Sequence, residues 1–515
     1  MNGDFTVAFF SMEMVIPELP EPVRGANFKG GLGILAGDIA AGLKRAGIKG
    51  LAIIPLYRYR WIDGKEIFYG SSIPKVMDLN SLNIREINRG GTIVYGLEGQ
   101  VFDRLYTDDR WQRIQQEIVF GKTAPLLLKK LGIKPDIVWF NESHTAVAAE
   151  AIKEDPYFKG TKILFTIHTP DPAGMERFSE QWFDELKIDR QKYYPIFVKD
   201  GCLDFTKAIM DLADAVNAVS DEHGSVTCEM FSSHAKKIIG IRNGSDRDLW
   251  LSPRLKEAGE HISSEKIRTI HQKDKQDFID LAEAQTKITL DLHKPLIGLI
   301  RRITGYKNQY PILDPIIRAI CADRNETVDT PCGCLKGLGM QVFCAGLASE
   351  SDERCKGWVK SFKGWMEAPI LRGKFVFLED YYLGLLRKGA SGCDIWLSCP
   401  WPKWEACGTS DQRTTINGNI NVSTRSGGAK EYLQPIDLIA GTGNGLFIEP
   451  YDPFTVYQKL ATLSDLYYAF CESGDNTWVK IMMNAFETGK SLDIVPMIEE
   501  YRKQIFVPLL NNGSR

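Results

Sequence analysis

Short apolar runs recur along the chain, each followed by a turn and then by a stretch whose apolar positions return every three or four residues. In the first half the runs at 7–12, 51–57, 137–140, 163–168 and 215–220 read as strands, with helices at 111–131 and 145–153 between them. In the second half strands are expected at 296–301, 341–345, 375–378, 394–398 and 445–449, alternating with helices at 310–324, 352–364 and 453–472. Near-continuous apolar strands alternating with amphipathic helices predict parallel sheets covered on both faces. Between the halves, residues 252–294 are highly charged and read as helix and connection. The expected organisation is a first domain at 1–250, a connection at 251–290, a second domain at 291–485 and a tail at 486–515. The tail is amphipathic through Ile494, Val495, Met497, Ile498, Tyr501 and Ile505, and is expected to pack back on the first domain. The fold class is therefore α/β, two doubly wound Rossmann-like domains facing across a cleft, with ligands beyond the carboxyl ends of the strands.

Composition narrows the function. The 515 residues carry 63 basic and 66 acidic side chains, a formal charge of −3, which gives no electrostatic footprint for nucleic acid or an anionic membrane. No apolar run approaches the roughly 18 residues of a membrane span. Asp4 stands where a secretory signal would be basic, so a cytoplasmic protein is expected. The eleven cysteines are odd in number and unevenly placed, which argues against a disulfide framework. Cys332-Gly333-Cys334 lacks a second pair of ligands, and no metal site is expected.

Four segments combine glycine, basic and carboxylate residues at expected strand ends. Lys29-Gly30-Gly31-Leu32-Gly33 opens a helix and reads either as a tight turn or as an anion cradle of backbone N–H groups. Arg301-Arg302-Ile303-Thr304-Gly305-Tyr306-Lys307 follows a strand, and its forked and point charges suit a phosphate or diphosphate. In Trp404-Glu405-Ala406-Cys407-Gly408-Thr409-Ser410-Asp411, Glu405 would accept from sugar hydroxyls, and Gly408, Thr409 and Ser410 would donate at a helix start. The fourth segment, His168 with residues 169–174, places a histidine at a strand end. Together they describe a site for an anionic sugar donor.

These segments resemble, in order and wording, the α-glucan (glycogen) phosphorylases, retaining glycosyltransferases of the GT-B fold. The resemblance rests on Phe10-Ser11-Met12-Glu13, Gly30 to Asp38, Asn141-Glu142-Ser143-His144, His168-Thr169-Pro170 and Asn243-Gly244. It continues through Arg302 with Lys307, Phe377 to Tyr381, Glu405 to Ser410, and Asn417-Gly418. It implies that Gly31 and Leu32 lie against phosphate and sugar, and that the His168 carbonyl lies near the anomeric carbon. It further implies that Asn243 and Glu405 hold glucosyl hydroxyls, and that Arg302, Lys307 and Thr409 hold phosphate. His144, Tyr381 and Cys407 fall within the same motifs and are expected to bind substrate.

One departure changes the expected chemistry. Arg413 stands where the phosphorylases have the lysine that forms an imine with pyridoxal phosphate, and a guanidinium is a poor nucleophile. Gln412 replaces a methionine and Tyr382 an arginine of that family, so no covalent pyridoxal phosphate is expected. The glycogen and starch synthases are also similar, sharing the arginine and lysine five apart, and residues 444–453 look like the sugar-nucleotide enzymes. The expected activity is transfer of glucose, with retention, from a nucleoside-diphosphate glucose to an α-glucan or oligosaccharide. Its catalytic set is His168, Arg302, Lys307 and Glu405, and Arg413 would grip the donor's phosphate or ribose. The competing expectations are an α-glucan phosphorylase and a non-catalytic glucan-binding or regulatory protein.

Overall fold

The computed structural model describes residues 5–511 except 22, 63–64, 69–72, 169–174 and 350. The chain divides into two compact units, Met1–Asp246 with Ile494–Arg515, and Arg247–Asp493.

The first unit is built on a nine-stranded sheet: β1 (Thr6–Ser11), β2 (Lys49–Pro55), β3 (Lys75–Leu79), β4 (Leu82–Arg89), β5 (Thr92–Glu98), β6 (Ile137–Asn141), β7 (Lys162–Ile167), β8 (Ala215–Ala218) and β9 (Ile238–Gly240). Its order is β9-β8-β7-β6-β1-β2-β5-β4-β3. β1 lies near the middle, parallel to β2 on one side and to β6 on the other, which is why Val7 to Ser11 are all buried. The edge β3–β4–β5 is antiparallel and was not expected, because its strands alternate polar and apolar residues around turns. Helix α1 (Gly31–Arg45) follows β1, and α2 (Arg110–Lys130) precedes β6.

The second unit is built on a six-stranded sheet, β10 (Leu296–Ile300), β11 (Gln341–Ala345), β12 (Phe375–Leu378), β13 (Ile395–Ser398), β14 (Ile420–Thr424) and β15 (Gly445–Ile448), all parallel, in the order β12-β11-β10-β13-β14-β15. β14 escaped the sequence reading because its buried Asn421, Ser423 and Thr424 look like a loop. The stretch expected as a connection carries a helix of this unit, α3 (Ser264–Thr286), whose Phe278 packs against α4 (Leu383–Gly392). The helix expected at 310–324 is two short ones, Gln309–Leu313 and Ile317–Cys321, because Pro315 interrupts the ladder. Helix α5 (Thr409–Ile416) packs on α6 (Thr477–Lys490).

The tail helix α7 (Ile494–Tyr501) lies on the first unit. Ile494 and Ile498 meet Gly42 of α1, the Ile494 N–H donates to the Ser245 carbonyl at 2.9 Å, and the Tyr501 hydroxyl donates to Asn217. Among the described residues no helix is long and apolar enough to cross a membrane.

Candidate functional site

In the second unit the chemistry gathers at the carboxyl ends of β10 and β13. The chain leaves β10 through Arg301, which is buried, and Arg302, which is exposed, then makes the tight turn Gly305–Lys307. The Lys307 ammonium donates to the Glu405 carboxylate and sits 4.9 Å from the Tyr306 ring centre. Burial opposes ionisation of Glu405, but Lys307, Arg301 and Arg302 outweigh it and hold the carboxyl below its ordinary range. Glu405 is thus a charged acceptor at neutral pH.

Glu405 leads directly into α5. Gly408 is extended before the first turn, and Asp411 within that turn complements the helix dipole. The loop behind it needs a glycine: Gly427 has φ +53°, and a Cβ there would stand 2.2 Å from the Glu405 carbonyl oxygen. Ser410 donates to Asp411, Thr409 Oγ1 accepts from Arg413, and Cys407 Sγ accepts from Gln412 at 3.7 Å. Tyr381 is buried after β12, its N–H bonded to Asp380 at 2.6 Å.

Arg413, expected to grip the donor's phosphate or ribose, lies on α5 against Trp250. It is 3 % exposed, and its guanidinium lies 4.4 Å above the Trp250 ring. Nearby, Glu405 is bonded to Lys307 and Asp411 to Arg301. Asn417 closes the arrangement by donating to the Trp250 carbonyl and accepting the Ser252 N–H. Tyr382 likewise turns to α3, where its hydroxyl accepts from Gln285 at 2.6 Å.

In the first unit, Gly30 precedes α1, whose first turn contains no acid; Gly31 is exposed and Leu32 half-buried. Glu13, buried after β1, fixes this loop: its Oε2 accepts the Lys29 N–H at 2.9 Å, and its Oε1 the Tyr106 hydroxyl at 2.5 Å. A Cβ on Gly33 would stand 2.6 Å from that Oε2, so only glycine lets the helix start so close.

His168 ends β7 half-buried. Its N–H donates to Glu142 Oε1 at 2.6 Å, and its Nε2 donates to Asn141 Oδ1 at 2.7 Å. Burial, helped by His223, pushes its pKa down to about 3, so the ring is neutral. Residues 169–174 of the same segment lie outside the described residues. Glu142 adopts φ +67° with ψ 164°, a conformation almost reserved for glycine, and such strain collects at binding sites. His144 is buried, with Nε2 at 3.4 Å from Glu176. Burial opposes the Glu176 charge, yet His144, Arg113 and Arg110 hold that carboxyl at about 2. Glu117, His144 and Glu176 are residue types that bind metals, but Arg113 donates to both carboxylates, and burial beside Glu176 pushes the Glu117 carboxyl well above its ordinary range. Asn243 is buried, its N–H on the Val219 carbonyl at 3.2 Å.

The expected site residues therefore fall into a group around Gly30–Leu32, His144, His168 and Asn243 in one unit, and a group around Arg302, Lys307 and Glu405 in the other. Arg301, expected with Arg302 and Lys307 to suit a phosphate, is buried against Asp411, and sequence reasoning gave no role to Glu13, Glu142, Glu176 or Trp250. Glu13 and Glu142 stood inside quoted motifs, whereas nothing in the sequence marked Trp250.

Two doubly wound units with sugar- and phosphate-type residues at strand ends define the GT-B fold. Within that fold the chain is similar to glycogen and starch synthases, with likeness to the phosphorylases as well. The starch synthase catalytic domain family matches residues 23–236. The catalytic domain of starch synthase IV from Arabidopsis thaliana, bound to ADP and acarbose, superposes with a TM-score of 0.74 at 20 % identity, covering 99 % of this chain and 100 % of that one. Maltodextrin phosphorylase of Thermococcus litoralis is 27 % identical over 78 % of this chain, which spans 58 % of that protein's length. Glycogen synthase of Photobacterium profundum is 23 % identical over 85 % of each.

Proposed function

We propose that the chain is a pyridoxal-independent, retaining α-glucosyltransferase of the cytoplasm, taking glucose from a nucleoside-diphosphate glucose to an α-glucan or oligosaccharide. The Lys307–Glu405 ion pair beside exposed Arg302 carries this reading. A donor phosphate competes with Glu405 for Lys307, and its arrival frees Glu405 to accept from the sugar hydroxyls. Binding of the two halves of the donor is thereby coupled. Arg302, Lys307 and the first N–H groups of α5 then stabilise the departing diphosphate, which is where charge develops. Transfer is front-side, with the leaving phosphate taking the acceptor's proton and no carboxylate nucleophile. The starch synthase neighbour with ADP and acarbose supports a donor and acceptor of these kinds.

The phosphorylases bring pyridoxal phosphate into question, and the side chains here do not fit it. An imine needs an amine at position 413, and the arginine there is committed to Trp250 and Thr409. The second reading, α-glucan phosphorolysis, is favoured by the likeness to maltodextrin phosphorylase. The test that separates them is spectroscopic. The purified protein is expected to lack aldimine absorbance, to release no pyridoxal phosphate on denaturation, and still to transfer glucose from a sugar nucleotide. Stoichiometric pyridoxal phosphate overturns the proposal.

A further inference from the structure

Arg301 and Arg302 are adjacent in sequence, but the strand's alternation sends them to opposite faces. Arg302 is exposed; Arg301 is 4 % exposed. A single nitrogen of Arg301, Nη2, donates to Ser398 Oγ at 2.8 Å, to Ser410 Oγ at 2.8 Å and to Asp411 Oδ1 at 3.1 Å. Asp411 in turn accepts from Ser423 Oγ through Oδ2 and from Asn421 through its carbonyl, both at 3.2 Å. The ends of β10 and β13, the polar strand β14 and the first turn of α5 therefore meet at one guanidinium. Its Nε and Nη1 are buried with no hydrogen-bond partner among the described residues. Enclosing a cation in that state costs stability, so packing alone does not account for it.

What the guanidinium holds is the start of α5, and Glu405 lies four residues before Thr409, the first residue of that helix. We infer that Arg301 is a positioning residue for Glu405: it ties the first turn of α5 to the sheet and so fixes where Glu405 and Thr409 meet a ligand. The inference rests on the proposed reading of Glu405 as a ligand of sugar hydroxyls. The charged and titratable groups around the pair are Lys307 and Arg302 on the Glu405 side, and Asp411, Cys399 and Tyr306 on the Arg301 side.

The experiment compares Arg301→Gln and Arg301→Lys with the wild-type chain by melting temperature, by hydrogen exchange of the amides at 409–413, and by donor kinetics across pH. Arg301→Gln removes charge and fork together. It is expected to speed exchange in α5 at least tenfold with β10 and β13 unchanged, and to lower kcat/KM about 10–100-fold, the loss of a charged hydrogen-bond node. Its acid limb moves to higher pH, because burial then raises the Glu405 carboxyl with less opposition. Arg301→Lys keeps the charge but not the three-way node, so its acid limb stays in place while α5 exchanges faster. If the glutamine variant does not fold, the lysine variant decides by itself: faster α5 exchange supports the anchoring and wild-type exchange overturns it. Arg301→Gln with wild-type exchange in α5 overturns the inference, as does faster exchange spread evenly over the unit. Absence of transfer from any sugar nucleotide by the wild-type chain defeats the functional reading instead, and the exchange comparison still decides whether Arg301 anchors α5.

Discussion

Lys307→Ala is expected to lower kcat/KM for the sugar nucleotide about 10²–10³-fold, roughly 3–4 kcal/mol of transition-state stabilisation. Two losses combine in this figure. The departing phosphate loses a point charge, and Glu405 loses the cation that counters its burial. Arg301 and Arg302 still oppose Glu405's desolvation, so the variant should fold. Steady-state kinetics with the preferred donor, alongside a melting curve, checks both parts. An active Lys307→Ala protein would mean that phosphate is bound elsewhere.

Trp250→Ala carries the largest expected cost in stability. The indole is fully buried, and removing it from a packed core costs about 3–5 kcal/mol. The same change strips Arg413 of the ring beneath its guanidinium, which leaves a buried cation with fewer compensations. Because α5 carries Arg413, the damage should appear in the second unit. Denaturant unfolding with hydrogen exchange resolves it: the second unit should open at lower urea, with the core strands β1 and β6 of the first unit unchanged. A loss below about 1 kcal/mol would show that Trp250 does not support α5. In the same setting Arg413→Lys should weaken the stack and should not create pyridoxal chemistry, since Tyr382 is turned to Gln285.

Much of this architecture was legible in the chain, for identifiable reasons. Buried parallel strands such as 7–12 and 296–301 announce themselves as apolar runs, and the tail's apolar stripe pointed to the helix now seen on Gly42. The antiparallel edge at 75–98 was hidden because half-buried strands carry polar residues and its turn uses Asn80 and Ser81 at positive φ. β14 was hidden for the opposite reason, since its polar side chains are buried and bonded to α5. At the candidate site, residue type and order singled out Lys307 and Glu405 as candidates, and the structure pairs them with each other. Sequence could not say which arginine of Arg301-Arg302 turns inward, because that depends on the register of β10 against β13. Nor could it find Trp250, whose place beneath the Arg413 guanidinium is a tertiary contact with no local sequence signal.

The central claim is sugar-nucleotide transfer without pyridoxal phosphate, and one donor comparison on a single preparation tests it most directly. UDP-, ADP- and GDP-glucose are set against glucose 1-phosphate, each with glycogen and maltooligosaccharides as acceptors, with and without added pyridoxal phosphate. Incorporation of glucose into glucan from at least one nucleoside-diphosphate glucose, matched by released nucleoside diphosphate and indifferent to pyridoxal phosphate, is the predicted result. Incorporation from glucose 1-phosphate alone, rising when pyridoxal phosphate is supplied, would contradict it.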